Sequence, residues 1–84
     1  MQWKVKIEVT LKKGVLDPQG AAVEGALQVL DYHNVSRVRV GKYMELLLET
    51  AGRQAAAEQV EEMCRRLLTN PVIEDFGYTL QEVR

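Results

Sequence analysis

The sequence predicts an α+β fold, in which two helices cover one face of a four-stranded antiparallel sheet as a two-layer sandwich. Four short segments alternate apolar and polar residues, as strands do, and two longer segments repeat apolar residues at helical spacing. The predicted order is strand, helix, strand, strand, helix, strand. With 84 residues the chain has room for one hydrophobic core, so we expect one domain spanning residues 1–84.

The first strand and the first helix have clear sequence signals. Residues 3–12 alternate strictly, which places their large apolar side chains on one face of a strand. Asp17 followed by Pro18 predicts a helix start, because the carboxylate can cap the helix and proline is tolerated in its first turn. Asn34 is the predicted stop. The helix carries one apolar stripe at i, i+3, i+4 and i+7: Val23, Ala26, Leu27 and Leu30.

Residues 35–50 predict a β-hairpin, for which two loops are open. A two-residue turn at Gly41 and Lys42 would put the apolar side chains of the two strands on opposite faces. A three-residue loop, Gly41–Tyr43, would bring the apolar sets to one face, pairing Val40 with Met44 and Val38 with Leu46. We therefore prefer the three-residue loop.

The last two elements are a helix and a strand. Residues 53–69 follow helical spacing, and Pro71 stops the pattern. Phe76, Tyr78 and Leu80 alternate with smaller or polar residues and predict the final strand. The resulting β-α-β-β-α-β order suits the ferredoxin-like arrangement, because each βαβ half crosses over right-handedly.

Charge and cysteine content exclude several functional classes. Eleven Lys and Arg residues against twelve Asp and Glu residues give a net charge of −1, so we expect no binding to nucleic acid or to a membrane. The single Cys64 and the single His33 offer neither a disulfide framework nor the ligands of a metal site. A reducing cytoplasm fits this cysteine usage, and no apolar run is long enough to span a membrane.

Each candidate for catalysis has a simpler structural explanation. Cys64 lies on an apolar helical stripe without a nearby base, so we expect a buried structural thiol. His33 is expected at the end of the first helix in a capping or surface role. Glu74 and Asp75 are adjacent and diverge, which favours a solvated turn over an acid–base pair.

Ligand binding also has weak support in the sequence. The segment Gly14–Gly20 lacks the glycine spacing of phosphate loops, and the Asp17 carboxylate already occupies the helix cap. RNA-recognition domains of this topology stack bases on exposed strand aromatics. The exposed positions here predict cross-strand ion pairs instead: Lys4, Lys6 and Glu8 on the first strand, Glu45, Leu47 and Glu49 on the third.

The predicted sheet has unpaired edge strands and one uncovered face. Two alternatives stay open for these surfaces: they bind another protein, or they face solvent. A regulatory ligand-binding module of ferredoxin-like type, with its ligand at a dimer interface, is the alternative function.

Three segments resemble the PurS family: VTLKKGVLDPQG at 9–20, VRVGKYMELLLE at 38–49, and MCRRLLTNPVIEDF at 63–76. The likeness covers essentially the whole chain, and the order and spacing of the segments are jointly specific. That family is the small subunit of phosphoribosylformylglycinamidine synthase, an ATP-dependent glutamine amidotransferase of purine biosynthesis.

The resemblance implies a subunit without catalytic, cofactor or metal-binding residues of its own. It would form a homodimer or a tetramer, join a PurQ-type glutaminase subunit to a PurL-type synthetase subunit, and assist ammonia transfer between them. ATP and Mg are expected on the synthetase partner.

Two groups of residues are the candidate interface. Asp17 and Gln19 would shape a docking loop, while Arg39, Lys42 and Tyr43 would present the predicted hairpin. Capping and turn formation would explain Asp17, Pro18 and Gly41 equally well.

Overall fold

The sheet has three antiparallel strands, and the first strand lies in the middle. In the computed structural model, which describes residues 1–84, the strands are β1 (Gln2–Leu11), β2 (Lys42–Glu49) and β3 (Glu74–Val83). β1 pairs with β2 on one side and with β3 on the other. The predicted four-stranded sheet is therefore wrong, whereas the α+β class agrees with the structure. The final strand is longer than the alternation over 76–80 indicated.

One face of the sheet carries the core. Ile7 lies opposite Met44 on β2 and opposite Tyr78 on β3, so the alternation predicted for β1 continues across all three strands. Helix α2 (Arg53–Met63) lies on this face. The fully or nearly fully buried apolar residues come from β1, α2 and the turn that follows it: Trp3, Val5, Ile7, Val9, Ala56, Val60 and Cys64.

The predicted hairpin is absent, because residues 35–41 have no regular secondary structure and β2 begins at Lys42. Arg37 has a φ of 58°, a left-handed conformation that interrupts a strand. The N–H groups of Val38 and Val40 donate to side-chain carboxylates at 3.0 and 2.9 Å instead of to a neighbouring strand. Gly41 and Lys42 therefore form neither of the two predicted loops.

Helix α1 (Pro18–Val29) starts where the sequence predicts and ends earlier. The Asp17 side chain accepts a hydrogen bond from the Gly20 N–H, and Pro18 occupies the first turn. Asp31, with φ of 70°, takes the left-handed position that was predicted for Asn34. Asp tolerates this conformation nearly as well as Asn, which explains the earlier stop.

The second predicted helix is confirmed over most of its length, but its end is wound differently. Residues Cys64–Leu68 form a π-helical turn after α2. Thr69 closes it, because its N–H and its hydroxyl both donate to the Cys64 carbonyl, at 2.9 and 2.8 Å. This wider turn lies within the range 53–69 predicted as one helix.

The molecule is elongated, because residues 12–41, here called the arm, extend beyond the end of the sheet. The radius of gyration is 16.4 Å, against about 12 Å for a compact domain of this length. The principal extents are 51 × 29 × 14 Å. Helix α1 has no substantial packing against the sheet or α2, so the predicted layer of two helices on one face is wrong.

None of the helices has the length and apolar character needed to cross a membrane.

Candidate docking surface

Asp17 holds the base of the arm together. Its side chain is 7% exposed and accepts hydrogen bonds from the N–H of Gly20 and the N–H of Val40, both at 2.9 Å. Two hydrogen bonds, from the N–H of Gly20 and then from that of Val40, contribute most to holding the pKa of this carboxyl below its ordinary value of 3.8. The positive charge of the nearby Arg39 lowers this pKa further. Asp17 therefore links the start of α1 to the segment that leads into β2.

Gly20 lets the two parts of the arm approach closely. A side-chain carbon at this position would overlap the Val38 carbonyl oxygen and the Asp17 carboxylate. The Val38 N–H in turn donates to Glu24 Oε1 at 3.0 Å, one turn further along α1. Gly20 therefore has a role in the fold of the arm.

Arg39 also supports the chain itself. Its terminal nitrogen donates to the carbonyl oxygens of Leu11 and Lys12 at 3.0 and 3.2 Å, and its Nε lies 3.8 Å from Asp17 Oδ2. A guanidinium shared among these groups fixes the end of β1 to the arm. Arg39 was predicted to present a hairpin to a partner, and the structure places it in a junction within the chain.

Gln19 and Lys42 lie together at the end of the sheet. They line an open groove of about 440 Å³ whose wall also includes Asp17, Gly41 and Glu74. Lys42 Nζ lies 3.6 Å from Glu74 Oε2, whose side chain is 15% exposed. A solvated turn was predicted for Glu74, but this residue starts β3 and holds an ion pair. The groove combines an amide, a lysine and two carboxylates on a concave surface.

Tyr43 lies apart from this groove, on the face of the sheet opposite the core. It pairs with Glu8 on β1, is 54% exposed, and donates its hydroxyl hydrogen bond to Glu45 Oε1 at 2.8 Å. This hydrogen bond, followed by desolvation and the negative charge of Glu45, raises the pKa of Tyr43. Of the five predicted interface residues, Asp17, Gln19 and Lys42 line the groove, Arg39 contacts Asp17 at the base of the arm, and Tyr43 lies on a separate surface.

The sheet face that carries Tyr43 has the predicted charge pattern. Lys4 Nζ lies 3.9 Å from Glu45 Oε1 across the strands, and both side chains are partly exposed. The exposed Leu47, at 65%, is opposite Lys4 on this face. The prediction of a cross-strand ion pair is confirmed.

Cys64 and His33, the two residues weighed as candidates for catalysis, are respectively buried in the core and exposed to solvent. Cys64 is fully buried, as predicted, and this burial raises the pKa of its thiol. His33 follows α1, with its side chain 70% exposed and its Nε2 3.5 Å from Asp31 Oδ1. Asp75, predicted in a solvated turn with Glu74, is exposed at the start of β3, 3.5 Å from Lys12 Nζ.

Two features of the surface were missed by the sequence analysis. Glu24 anchors the arm, although a glutamate on a helix gives no signal of a distant backbone partner. An apolar groove of about 600 Å³ lies between β2, α2 and the π-helical turn, with walls that include Leu46, Met63, Leu67 and Leu68. Two helices were predicted to cover one face of the sheet, which left no open groove there.

Comparison with known proteins agrees with the resemblance. The family model that matches residues 4–82 is PurS, described as phosphoribosylformylglycinamidine (FGAM) synthase. The phosphoribosylformylglycinamidine synthase subunit PurS of Bacillus subtilis is 52% identical over 81 residues, covering 96% of this chain and 95% of the relative.

Two solved structures show the same fold. The Thermus thermophilus PurS structure is 40% identical with a TM-score of 0.86 and covers 100% of both chains. A chain of the PurLQS structure from Thermotoga maritima is 31% identical with a TM-score of 0.88, covering 96% of this chain and 99% of that one. Sequence and fold therefore agree over nearly the whole length, and the chain belongs to the PurS family of phosphoribosylformylglycinamidine synthase subunits.

Proposed function

We propose that this chain is the assembly subunit of phosphoribosylformylglycinamidine synthase, joining a glutaminase subunit to a synthetase subunit and assisting ammonia transfer between them. Family membership makes the chain a subunit of this ligase of purine biosynthesis. The observation that supports the bridging role is the likeness, over nearly its whole length, to a chain of the PurLQS structure from Thermotoga maritima.

The chemistry would be divided among the subunits. A PurQ-type glutaminase would release ammonia from glutamine, and a PurL-type synthetase would bind ATP and Mg²⁺ and use the ammonia to convert formylglycinamide ribonucleotide into its amidine. This chain would carry no catalytic residue. It would act in the cytoplasm as a homodimer that positions the two larger subunits.

The shape of the chain supports a bridging role. The arm and the sheet extend over 51 Å, which is long for 84 residues and offers separate surfaces to separate neighbours. The groove beside Gln19 and Lys42 and the sheet face with Tyr43 and Leu47 are two such surfaces. The sheet face sets the exposed Tyr43 and Leu47 among charged side chains, as protein interfaces do, and the groove offers charged and amide groups for polar contacts.

The test measures amidine synthesis by the matching synthetase and glutaminase subunits, with and without this chain. We expect the chain to restore turnover with glutamine and to change turnover with free ammonia very little, because coupling matters only when ammonia is made at a second site. If neither reaction responds, the proposal fails. Calorimetry with amino acids and purine nucleotides would then test the regulatory ligand-binding module.

Substitutions at the two surfaces test which of them docks a partner. Charge reversal at Arg39 or Lys42 would disturb contacts within the chain, so Gln19→Arg and Tyr43→Ala are the better changes. Each should weaken binding to one larger subunit about tenfold, a loss near 1.4 kcal/mol. Gln28→Arg and Tyr32→Ala are matched controls, since Gln28 is exposed on the same helix and Tyr32 is 54% exposed, as Tyr43 is. If all four variants bind the larger subunits equally well, neither the groove nor the sheet face is part of the interface.

A further inference from the structure

The outer edge of β3 has no neighbouring strand. β3 pairs with β1 on one side only, and the other side of its 10 residues is free. Natural sheets usually protect such an edge with lysine, proline, a bulge or a short strand. β3 contains neither lysine nor proline, and its register with β1 is continuous, so it has no bulge. This edge therefore lacks the features that prevent another strand from pairing with it.

The pairing with β1 defines which backbone groups of β3 are free. The Lys12 N–H donates to the Ile73 carbonyl at 2.8 Å, as a continuation of this pairing. Successive residues of a strand direct their N–H and C=O groups to opposite sides, so the odd-numbered residues of β3 face β1. The side chain of Arg53 reaches the outer edge, where it donates to the Leu80 carbonyl at 3.5 Å, a long hydrogen bond. Four residues direct their backbone groups outward along this edge: Phe76, Tyr78, Leu80 and Glu82.

Three of these four residues also form an apolar row on the core face beside the open edge. The rings of Phe76 and Tyr78 are stacked with their centroids 6.5 Å apart, and these two residues and Leu80 are only partly buried. The residues of β1 on the same face, where a strand lies on each side, are no more than 3% exposed. A strand added beside β3, with apolar residues at alternate positions, would bury the exposed part of this row.

Charge at the two ends of this edge favours a different chain over a second copy of β3. If two copies of β3 paired antiparallel about a two-fold axis at Tyr78, Glu74 of each copy would lie opposite Glu82 of the other. Like charges in such positions are destabilising. Glu82 takes part in none of the ion pairs of the chain. A strand with a lysine or an arginine opposite Glu82 would supply the missing partner.

The geometry points to strand addition at the outer edge of β3, in which an extended segment of one of the two larger subunits pairs with residues 76–82. Alternate side chains of this segment are apolar and cover Phe76, Tyr78 and Leu80, and a lysine or an arginine lies opposite Glu82. Main-chain hydrogen bonds supply the affinity, and the alternate side chains determine which segment binds. The inference rests on the proposed function, because that function supplies the partner, and it adds a docking surface to the groove and the sheet face.

Amide hydrogen exchange along β3 tests strand addition residue by residue. The isotope-labelled chain exchanges in deuterated buffer, alone and in its complex with the unlabelled synthetase and glutaminase subunits. A denaturing organic solvent then stops the exchange, and NMR measures the protons that remain. The even-numbered amides from 76 to 82 should exchange fast in the free chain and at least about tenfold more slowly in the complex, because a hydrogen-bonded amide exchanges only when the bond opens. The odd-numbered amides from 77 to 81 should be slow in both states.

Turnover with glutamine, measured on the same complex, separates the possible outcomes. Restored turnover with unchanged exchange at the even-numbered amides overturns strand addition and leaves the bridging role intact. Failure of the subunits to assemble overturns both statements. If the even-numbered amides are already slow in the free chain and become fast on dilution, a second copy occupies the edge, and strand addition by a larger subunit is wrong.

A pair of substitutions at Glu82 separates the backbone from the side chain. Glu82→Ala and Glu82→Pro both remove the carboxylate, but only proline also removes the outward N–H, which the pairing with β1 does not use. We expect Glu82→Ala to weaken binding to the larger subunits about threefold, as the loss of an exposed ion pair does. Glu82→Pro should bind about fivefold more weakly still, because a main-chain hydrogen bond is lost as well.

Circular dichroism of both variants shows whether the fold is retained. Equal binding by Glu82→Ala and Glu82→Pro contradicts strand addition, because the N–H at this position would then have no acceptor in the complex. Binding by Glu82→Ala equal to that of the unchanged chain contradicts a basic residue opposite Glu82. The exchange experiment needs no substitution, so it decides the question even if Glu82→Pro folds poorly.

Discussion

The Asp17 carboxylate and the Val40 N–H, 23 positions apart in sequence, are joined by a hydrogen bond of 2.9 Å. The other carboxylate oxygen accepts from the Gly20 N–H at the same distance. One side chain thus caps α1 and fixes the segment that enters β2. The ionised carboxylate accepts both hydrogen bonds through its two oxygens, and its charge strengthens them. The structure at the base of the arm therefore depends on the ionisation of Asp17.

The first prediction concerns pH. The folded pKa of Asp17 lies below 3.8, so its contribution to stability is complete above that value and is lost as the pH falls through the lower folded pKa. NMR titration should show the amide resonances of Gly20 and Val40 moving together in this acidic range. Asp17→Asn is the control and should remove the shared titration. Independent movement of the two amides would contradict a common carboxylate partner.

Two glycines of the same helix should respond in opposite ways to alanine. Gly20→Ala should lower the helical signal and the thermal midpoint, because the methyl group overlaps the Val38 carbonyl and the Asp17 carboxylate. Gly25→Ala should stabilise α1 by about 1 kcal/mol, because open space surrounds this position and alanine is the better helix former. Amide hydrogen exchange of α1 measures both effects. Equal shifts in the same direction would show that Gly20 has no packing role.

The alternation of apolar and polar residues predicted β1 and β3 correctly, because in both strands the apolar residues face the core and the backbone pairs with a neighbouring strand. Val38 and Val40 have the same alternation, yet the carboxylates of Glu24 and Asp17 take their N–H groups. No local rule gives the position of a glutamate 14 residues away. The sequence therefore predicted a strand where long-range side-chain bonds prevail.

The sequence placed the candidate interface residues in two separate groups, a loop and a hairpin. In the structure Asp17, Gln19 and Lys42 line one groove, and Arg39 contacts Asp17 at the base of the arm. Tyr43 does not join them, because the pleat directs neighbouring side chains to opposite faces. Whether these residues touch a partner stays a prediction.

Burial should make the Cys64 thiol unreactive in the folded chain. The side chain is fully buried, and desolvation raises its pKa, so the reactive thiolate is scarce. A chromogenic disulfide reagent should label Cys64 at least about a hundredfold more slowly in buffer than in urea, because labelling requires opening of the core. The reagent's reaction with a small thiol in the same two solutions corrects for solvent effects. Similar rates in both solutions would place Cys64 at the surface.

The last prediction concerns Trp3, a residue that is 3% exposed; the central carbon of the Arg53 guanidinium lies 5.3 Å from the centre of its ring. Arg53→Met keeps much of the apolar side chain and removes the charge. It should lower the free energy of unfolding by about 0.5–1 kcal/mol, the usual contribution of a partly exposed cation–π contact. Urea unfolding followed by fluorescence measures this loss, because Trp3 is the single tryptophan. Arg65→Met, at an exposed position of the π-helical turn, is the matched control. If both substitutions lower stability equally, the loss comes from surface charge in general and the contact with Trp3 contributes nothing.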